Sequence, residues 1–435
     1  MRLIVLIDGE HHPVAVRHAL MSLRHDDIVG AVFCGGLEKV DPARLDDTYG
    51  VPVINEPIVD EGFVRAIEEW KPDAVLDLTD EPVLSPEDRF RLASLAIARG
   101  VSYRGADFEL RARDYLPIVT KPSIRVFATG KRTGKTAVAS AFARHAASRG
   151  RDPLIVAVGR GGPEPPRLIE AHTHIDAKFL LEMSGAGFHA ASDYVEDALT
   201  SGVTTIGCVR VGGGLAGATV YSNVTEAARM AEARREDLVI FEGSGASFPD
   251  IATGAGIICV PADVAPSDVA GFLGPARLLL ADLAVVTMAE EGSAAAATED
   301  LIRGTVPGID VISVTFRPEP LQPVAGRRAF FCCTAPPDAR GVLQEHLERV
   351  HGCEVVGITH HLSDRRALRE ELGRAPDYDV LLTELKAGAV DVAVREADAR
   401  GKEIVFVNNV LVGTDIEGAF DRVLERAAAP RRSSH

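Results

Sequence analysis

Short apolar runs alternate with amphipathic stretches along nearly the whole chain. In the first 120 residues Leu3–Ile7, Ile28–Phe33 and Ala74–Leu78 read as strands, and Val14–Leu23, Gly62–Glu69 and Glu87–Arg99 as helices. Strands that alternate with helices pair in parallel and carry the helices on their faces. Further strands are expected at Leu154–Val158, Val203–Val209, Asp237–Phe241, 257–260, 283–287 and 311–315. The alternation then returns as Ala329–Cys333, Ala339–Val350, Glu354–Ile358, Arg365–Gly373, Val380–Leu382, Val390–Arg400 and Ile404–Val407. Lys121-Pro122-Ser123 and Pro323–Arg328 break the pattern, so the chain is expected in three α/β parts, 1–121, 122–323 and 324–426, with a disordered tail at 427–435.

One stretch carries specific chemistry. Arg125–Arg144 runs from an apolar strand through Thr129-Gly130-Lys131-Arg132-Thr133-Gly134-Lys135-Thr136 into an alanine-rich helix former beginning at Ala137. A helix N-terminus leaves N–H groups unpaired and pointing one way, and the helix dipole adds partial positive charge. Gly130 and Gly134 let the backbone wrap phosphates, Lys135 reaches the β and γ oxygens, and the Thr136 hydroxyl suits Mg²⁺. The spacing departs from the usual pattern, since Thr129 stands where a glycine is common, and Lys131 and Arg132 add two further cations. A second apolar strand ends in Glu242-Gly243-Ser244-Gly245, which places a carboxylate where Mg²⁺ would be reached. Together they predict a central P-loop NTPase parallel sheet, flanked by the N-terminal and C-terminal α/β domains, with a nucleoside triphosphate and Mg²⁺ bound there.

Bulk properties narrow the partners. A chain of 435 residues exceeds one ordinary core, and a net charge of −16 disfavours nucleic acid and anionic membranes as bulk partners. Anionic ligands must then be held by local clusters of basic groups. The first apolar run is too short for a signal sequence, which predicts a cytoplasmic protein. The six cysteines lack paired metal-ligand spacing and read as buried thiols.

Several turns at expected strand ends carry candidate residues. Asp8-Gly9-Glu10-His11-His12-Pro13 follows the first strand, either as a binding edge or as a polar turn opening a helix. Gly159-Arg160-Gly161-Gly162 presents an arginine between glycines. His189 precedes Asp193, Glu196 and Asp197, an acidic group expected as a solvated helix start. Arg210 leads into Gly212-Gly213-Gly214, and Lys386 follows the expected strand at 380–382.

These motifs resemble the cyclic 2,3-diphosphoglycerate synthetases. The resemblance rests on Thr129–Thr136, Gly159–Pro163, His189–Ala198, Val211–Gly214, Glu242–Ala246 and Thr383–Ala387, and includes the Asp8–Pro13 turn. The Glu242–Gly245 loop also looks like that of the dethiobiotin synthetase type of P-loop ligase. The resemblance implies ATP-dependent closure of 2,3-diphosphoglycerate to a cyclic pyrophosphate, with ADP and phosphate released. It assigns catalysis to Lys131, Arg132, Lys135, Arg160, His189 and Arg210, nucleotide binding to Gly130 and Thr133–Ala137, and metal binding to Thr136 and Glu242. Substrate contacts are expected from Asp8, Glu10, His11, His12, Arg160, His189, Gly213, Gly214 and Lys386, in a homodimer. A P-loop kinase or ligase for another anionic acid, and a nucleotide-driven switch or metallochaperone, are the alternative readings.

Overall fold

The computed structural model describes residues 1–23, 25–189, 192–385 and 388–428. Its strands are β1 (Arg2–Ile7), β2 (Asp27–Phe33), β3 (Val53–Ile54), β4 (Ala74–Asp77), β5 (Ser102–Arg104) and β6 (Glu109–Leu110) in the N-terminal part. The central part holds β7 (Ser123–Ala128), β8 (Pro153–Gly159), β9 (Arg167–Ile169), β10 (Thr204–Val211), β11 (Tyr221–Ser222), β12 (Leu238–Glu242), β13 (Ala255–Pro261), β14 (Leu283–Thr287) and β15 (Asp310–Pro320). β16 (Arg328–Cys332), β17 (Glu354–Thr359), β18 (Val380–Thr383) and β19 (Glu403–Gly413) complete the described strands.

Two sheets organise them. The N-terminal sheet has the order β3-β2-β1-β4-β5-β6, in which the β3-to-β4 connection crosses back over β1. That reversal puts a crevice at the carboxyl ends of β1 and β4. The second sheet has 13 strands and runs β11-β10-β8-β12-β7-β13-β14-β15-β19-β18-β16-β17, with β9 beside β10. Every residue of β7 and of β8 is buried, as expected for central parallel strands covered on both faces.

The sequence did not reveal that the central and C-terminal parts share one sheet. β15 does not stop at 315; it continues through Pro318 to Pro320 and pairs antiparallel with β19 from Val314↔Gly413 to Pro320↔Val407. Proline lacks a ladder N–H, but β14 pairs β15 only as far as Ser313, so the prolines lie where one side of the strand has no strand partner.

The final helix, Ile416–Ala427, returns to the central part and was absent from the expected elements. Phe420 meets Phe142 of the helix Lys135–Ser148 edge to face at 5.2 Å. Asp421 accepts from His145 Nε2 at 2.7 Å and from Arg149 Nε at 2.9 Å. Ala427, expected in the tail, ends this helix and is buried; 429–435 lie outside the described residues. All six cysteines are free and buried, in line with their apolar contexts.

Candidate functional site

The turn after β7 is clasped from the sheet side. Thr129 N–H donates to Cys259 O of β13 at 3.2 Å, and Thr287 Oγ1 at the end of β14 donates to Thr133 O at 3.0 Å. Gly134 adopts φ 79° as N-cap of the helix Lys135–Ser148, a conformation that costs glycine little. Among the described residues no acceptor takes the amides of Gly130 through Thr136. A row of open N–H groups at a helix start favours an anion. Lys135 is buried and donates to Gly130 O at 3.3 Å, while Lys131 and Arg132 are exposed, Arg132 at φ 60°.

A buried acidic group lies behind this turn. Thr136 Oγ1 donates to Glu242 Oε1 at 2.7 Å, and Glu242 Oε2 is buried without a hydrogen-bond partner. The helix Asp193–Ser201 packs beside the helix Lys135–Ser148, where Ser140 Oγ donates to Asp197 Oδ1 at 3.2 Å. The expectation of a solvated acidic helix start is therefore corrected. Asp197 is fully buried and Glu196 nearly so, because the helix Asp193–Ser201 is covered by the helix Lys135–Ser148 and by β8 and β10. Burial pushes the Asp197 carboxyl well up, and Glu242, Glu196 and Asp193 add to the shift. Burial also raises Glu242, with Asp193 adding to it, against the lowering effect of Asp197, Lys135 and Thr136.

Asp193, which the sequence did not single out as a site residue, is the centre of the basic cluster. Burial raises its carboxyl, and the fields of Lys135, His189, Arg160 and Lys131 oppose that rise. One carboxylate thus lies within the field of four residues drawn from three separate turns. Its signal in the sequence was the i, i+4 pairing with Asp197 just after His189. His189 is exposed and lies against Gly161, and Ser192 Oγ donates to Gly161 O at 3.3 Å.

Arg160 and Arg210 converge on Gly245: a Cβ built there would fall 2.5 Å from Arg160 Nη2 and 3.3 Å from Arg210 Nη2. Arg210 is buried and donates to Gly212 O at 2.7 Å and Ser244 O at 2.6 Å, so it ties the triple-glycine loop to the Glu242–Gly245 turn. Burial lowers its pKa first, and Arg160 adds to that. Gly213 lies beside the same side chain, and Gly214 N–H donates to Ala218 O at 2.8 Å.

The N-terminal candidates form a separate group at the β1/β4 crevice. Asp8 is buried and accepts from Glu10 N at 3.0 Å, His11 N at 3.0 Å and Asp80 N at 2.9 Å. It also accepts from His11 Nδ1 at 2.9 Å, which directs Nε2 away from the carboxylate. Burial raises the Asp8 carboxyl, but hydrogen bonds from His11 and Asp80 more than offset this and hold it below its ordinary value. His12 caps the following helix through Val14 N at 3.3 Å. Glu10 is raised by a hydrogen bond with Glu38.

In the C-terminal part Lys386 lies outside the described residues. Its neighbour Glu384 is buried and accepts from Thr334 N and Thr334 Oγ1, each at 2.8 Å, and from Asn409 Nδ2 at 2.9 Å. Among the described residues no group of three or more His, Cys, Asp or Glu side chains comes together as a metal site. No helix among them is long and apolar enough to cross a membrane.

A parallel sheet with open amides, a buried lysine and an acid-linked threonine at one carboxyl edge defines an α/β P-loop protein, built to hold a phosphate chain. Family models agree on both the class and its particular branch. The cyclic 2,3-diphosphoglycerate synthetase P-loop domain matches residues 123–315, and the N-terminal and C-terminal domains of the same family match 2–111 and 320–410. The chain belongs to the cyclic 2,3-diphosphoglycerate synthetase family. The synthetase of Rubrobacter xylanophilus is 42% identical over 441 residues, covering 100% of this chain and 99% of the relative. That of Methanothermus fervidus is 40% identical over 447 residues (98% and 97% covered), and that of Thermococcus onnurineus 43% over 430 (98% of each). Among solved structures, LpxK from Aquifex aeolicus in complex with ATP is similar at 13% identity and a TM-score of 0.40, over 71% of this chain and 89% of that one.

Proposed function

We propose that the chain closes 2,3-diphosphoglycerate into its cyclic pyrophosphate and releases ADP and phosphate from ATP. The observation that carries this reading is the cluster around Asp193. Lys131, Lys135, Arg160 and His189, from three turns, all act on the Asp193 carboxylate through their fields, beside a turn whose amides are open. A nucleotide alone needs less positive charge than this. An acid bearing two phosphates and a carboxylate, brought up to an ATP γ-phosphate, needs such charge to approach at all.

In this reading the Gly130–Thr136 turn holds the ATP phosphates, and Lys135 follows the β and γ oxygens. One substrate phosphate attacks the γ-phosphorus in line, ADP leaves, and the second substrate phosphate displaces inorganic phosphate to close the ring. Phosphate anions need no strong base as nucleophiles, so orientation and charge neutralisation supply most of the rate. Arg160, His189 and Lys131 grip the acid, and Arg132 lies at the rim. Arg210 acts by fixing the Gly212–Gly214 and Glu242–Gly245 turns.

Mg²⁺ fits the residues present. The Thr136 hydroxyl and the Glu242 carboxylate are hard oxygen donors in contact, one carboxylate oxygen is an unpartnered buried atom, and Mg²⁺ commonly takes few protein ligands beside phosphate oxygens. When bound it would neutralise charge on the β and γ phosphates. The Asp8–His11 pair, with Glu10 and His12, and Lys386 are further substrate contacts in this reading, and the protein works as a cytoplasmic homodimer. Incubation with ATP, Mg²⁺ and 2,3-diphosphoglycerate, followed by phosphorus NMR, is expected to show a cyclic pyrophosphate signal matching ADP release. ADP release without that signal would overturn the substrate assignment, and a single-chain mass by light scattering would overturn the dimer.

A further inference from the structure

β8 and β10 pair in parallel as far as Val209↔Gly159, and the next residue on each side is one of the two arginines that converge on Gly245. Arg210 is buried and fixed through Gly212 O and Ser244 O, whereas Arg160 is exposed on the turn that follows β8. Like charges brought this close repel, so the Arg160 turn has to be held by something beyond the ladder.

Asn223 is placed to hold it. As N-cap of the helix Val224–Ala233 its side chain would ordinarily accept from that helix's own first turn, but it makes no such bond. Its Oδ1 instead accepts from Val209 N at 2.7 Å, and its Nδ2 donates to Pro163 O at 3.0 Å and to Glu164 Oε2 at 3.1 Å. One buried side-chain amide thus ties the last paired residue of β10 to the far end of the Arg160 turn. Tyr221 Oη, on β11, donates to the same Glu164 oxygen. Gly162 lies so close on β10 that a Cβ built there would fall 1.9 Å from Cys208 O.

We propose that Asn223 is a positioning residue for the reaction: it locks the Gly159–Pro163 turn against β10 and so holds Arg160, beside Arg210, where it meets the phosphorylated acid. The proposal rests on the reading of Arg160 as a substrate contact. The lock uses a donor and an acceptor of one side chain at once, which an amide supplies and a carboxylate does not. The ATP phosphates lie on a different turn, so loss of the lock falls on the acid and spares the nucleotide.

In the full chain, Asn223→Ala is expected to raise KM for 2,3-diphosphoglycerate about fivefold while KM for ATP stays within about twofold. Asn223→Asp keeps the acceptor for Val209 N but turns a carboxylate toward Pro163 O and Glu164, and is expected to match it. It remains informative if Asn223→Ala fails to fold. In an Arg160→Ala background Asn223→Ala is expected to add nothing to KM for the acid, since the residue it positions is already gone. The same rise in both backgrounds, or an unchanged KM in both Asn223 variants, would overturn the proposal. The lock is also read without substrate: tryptic cleavage after Arg160, followed by fragment mass, is expected to quicken about tenfold in both variants while other sites are cut as before. Cleavage there no faster than in the wild-type chain counts against the lock. Faster cleavage, with no cyclic product from the wild-type chain, would sink the substrate reading and leave the lock standing.

Discussion

The two sheets each place a strand, a glycine-containing turn and a helix at their middle, yet they treat negative charge in opposite ways. After β7 the amides of Gly130–Thr136 have no acceptor among the described residues. After β1 the corresponding amides are filled from within, because Asp8 accepts from Glu10 N and His11 N, and it takes Asp80 N from the turn after β4 as well. Asp8 stands immediately after β1 where Thr129 stands immediately after β7. The difference teaches that a strand-turn-helix unit is an anion site only where the protein leaves its donors open. A carboxylate at the strand end converts the same geometry into an internally satisfied turn. What the N-terminal turn then offers outward is a histidine whose Nδ1 is fixed by Asp8, a side-chain contact instead of a backbone cradle.

The comparison breaks most sharply at Lys135. Lys135→Ala is expected to lower the rate of ADP formation by about 10²–10³-fold, since it removes the cation at the open turn. Undiminished ADP release would mean that the turn after β7 is not the phosphate site. Next comes Asp8→Ala, which leaves buried donors without their acceptor and should destabilise the N-terminal sheet by about 2–3 kcal/mol. Amide exchange of β1 and β4 is the readout, and unchanged protection would show that Asp8 is not what fills the turn.

Arg160→Ala is expected to raise KM for 2,3-diphosphoglycerate about tenfold with a much smaller change for ATP. Equal rises for both ligands would mean that the acid and the nucleotide are not gripped by separate groups. The smallest effect is in pH. Asp8 is held below its ordinary pKa, so its contribution to stability is complete above about pH 4, the range of an unfolded aspartate, and is lost as pH falls further. Exchange protection at Glu10, His11 and Asp80, corrected for intrinsic rates, should stay level from pH 8 to 5 and fall below about pH 4. Loss between pH 8 and 6 would show that the Asp8 carboxylate is not the group that governs this turn.

Much of this was legible in the chain. The alternation of apolar runs is a local property, and so is a Gly-Lys-Thr turn ahead of an alanine-rich helix. Boundaries of β1 and β2 and of most of the helices expected from the sequence fall close to those expected. The last helix was missed although Ala419, Phe420, Val423 and Ala427 repeat at helical spacing and are all buried. The acidic residues after His189 were read as a solvated helix start because sequence spacing shows which residues share a face but not what that face meets. The helix Lys135–Ser148 covers them.

By itself the sequence determined the α/β class, the phosphate-binding turn with its carboxylate partner at Glu242, and the family. Each of these depends on residues close together in the chain or on a strand-end identity. Only the tertiary structure decided the rest. It joined the central and C-terminal parts through β15 and β19, because a strand's partner depends on pairings almost a hundred residues away. It made Asp193 the centre of the basic cluster, because field and burial depend on turns that come from different strands. It also put the arginine-bearing ends of β8 and β10 on one side of the P-loop and β13, β14 and β15 on the other, because strand order in the sheet is set by the crossovers and not by the order of the chain.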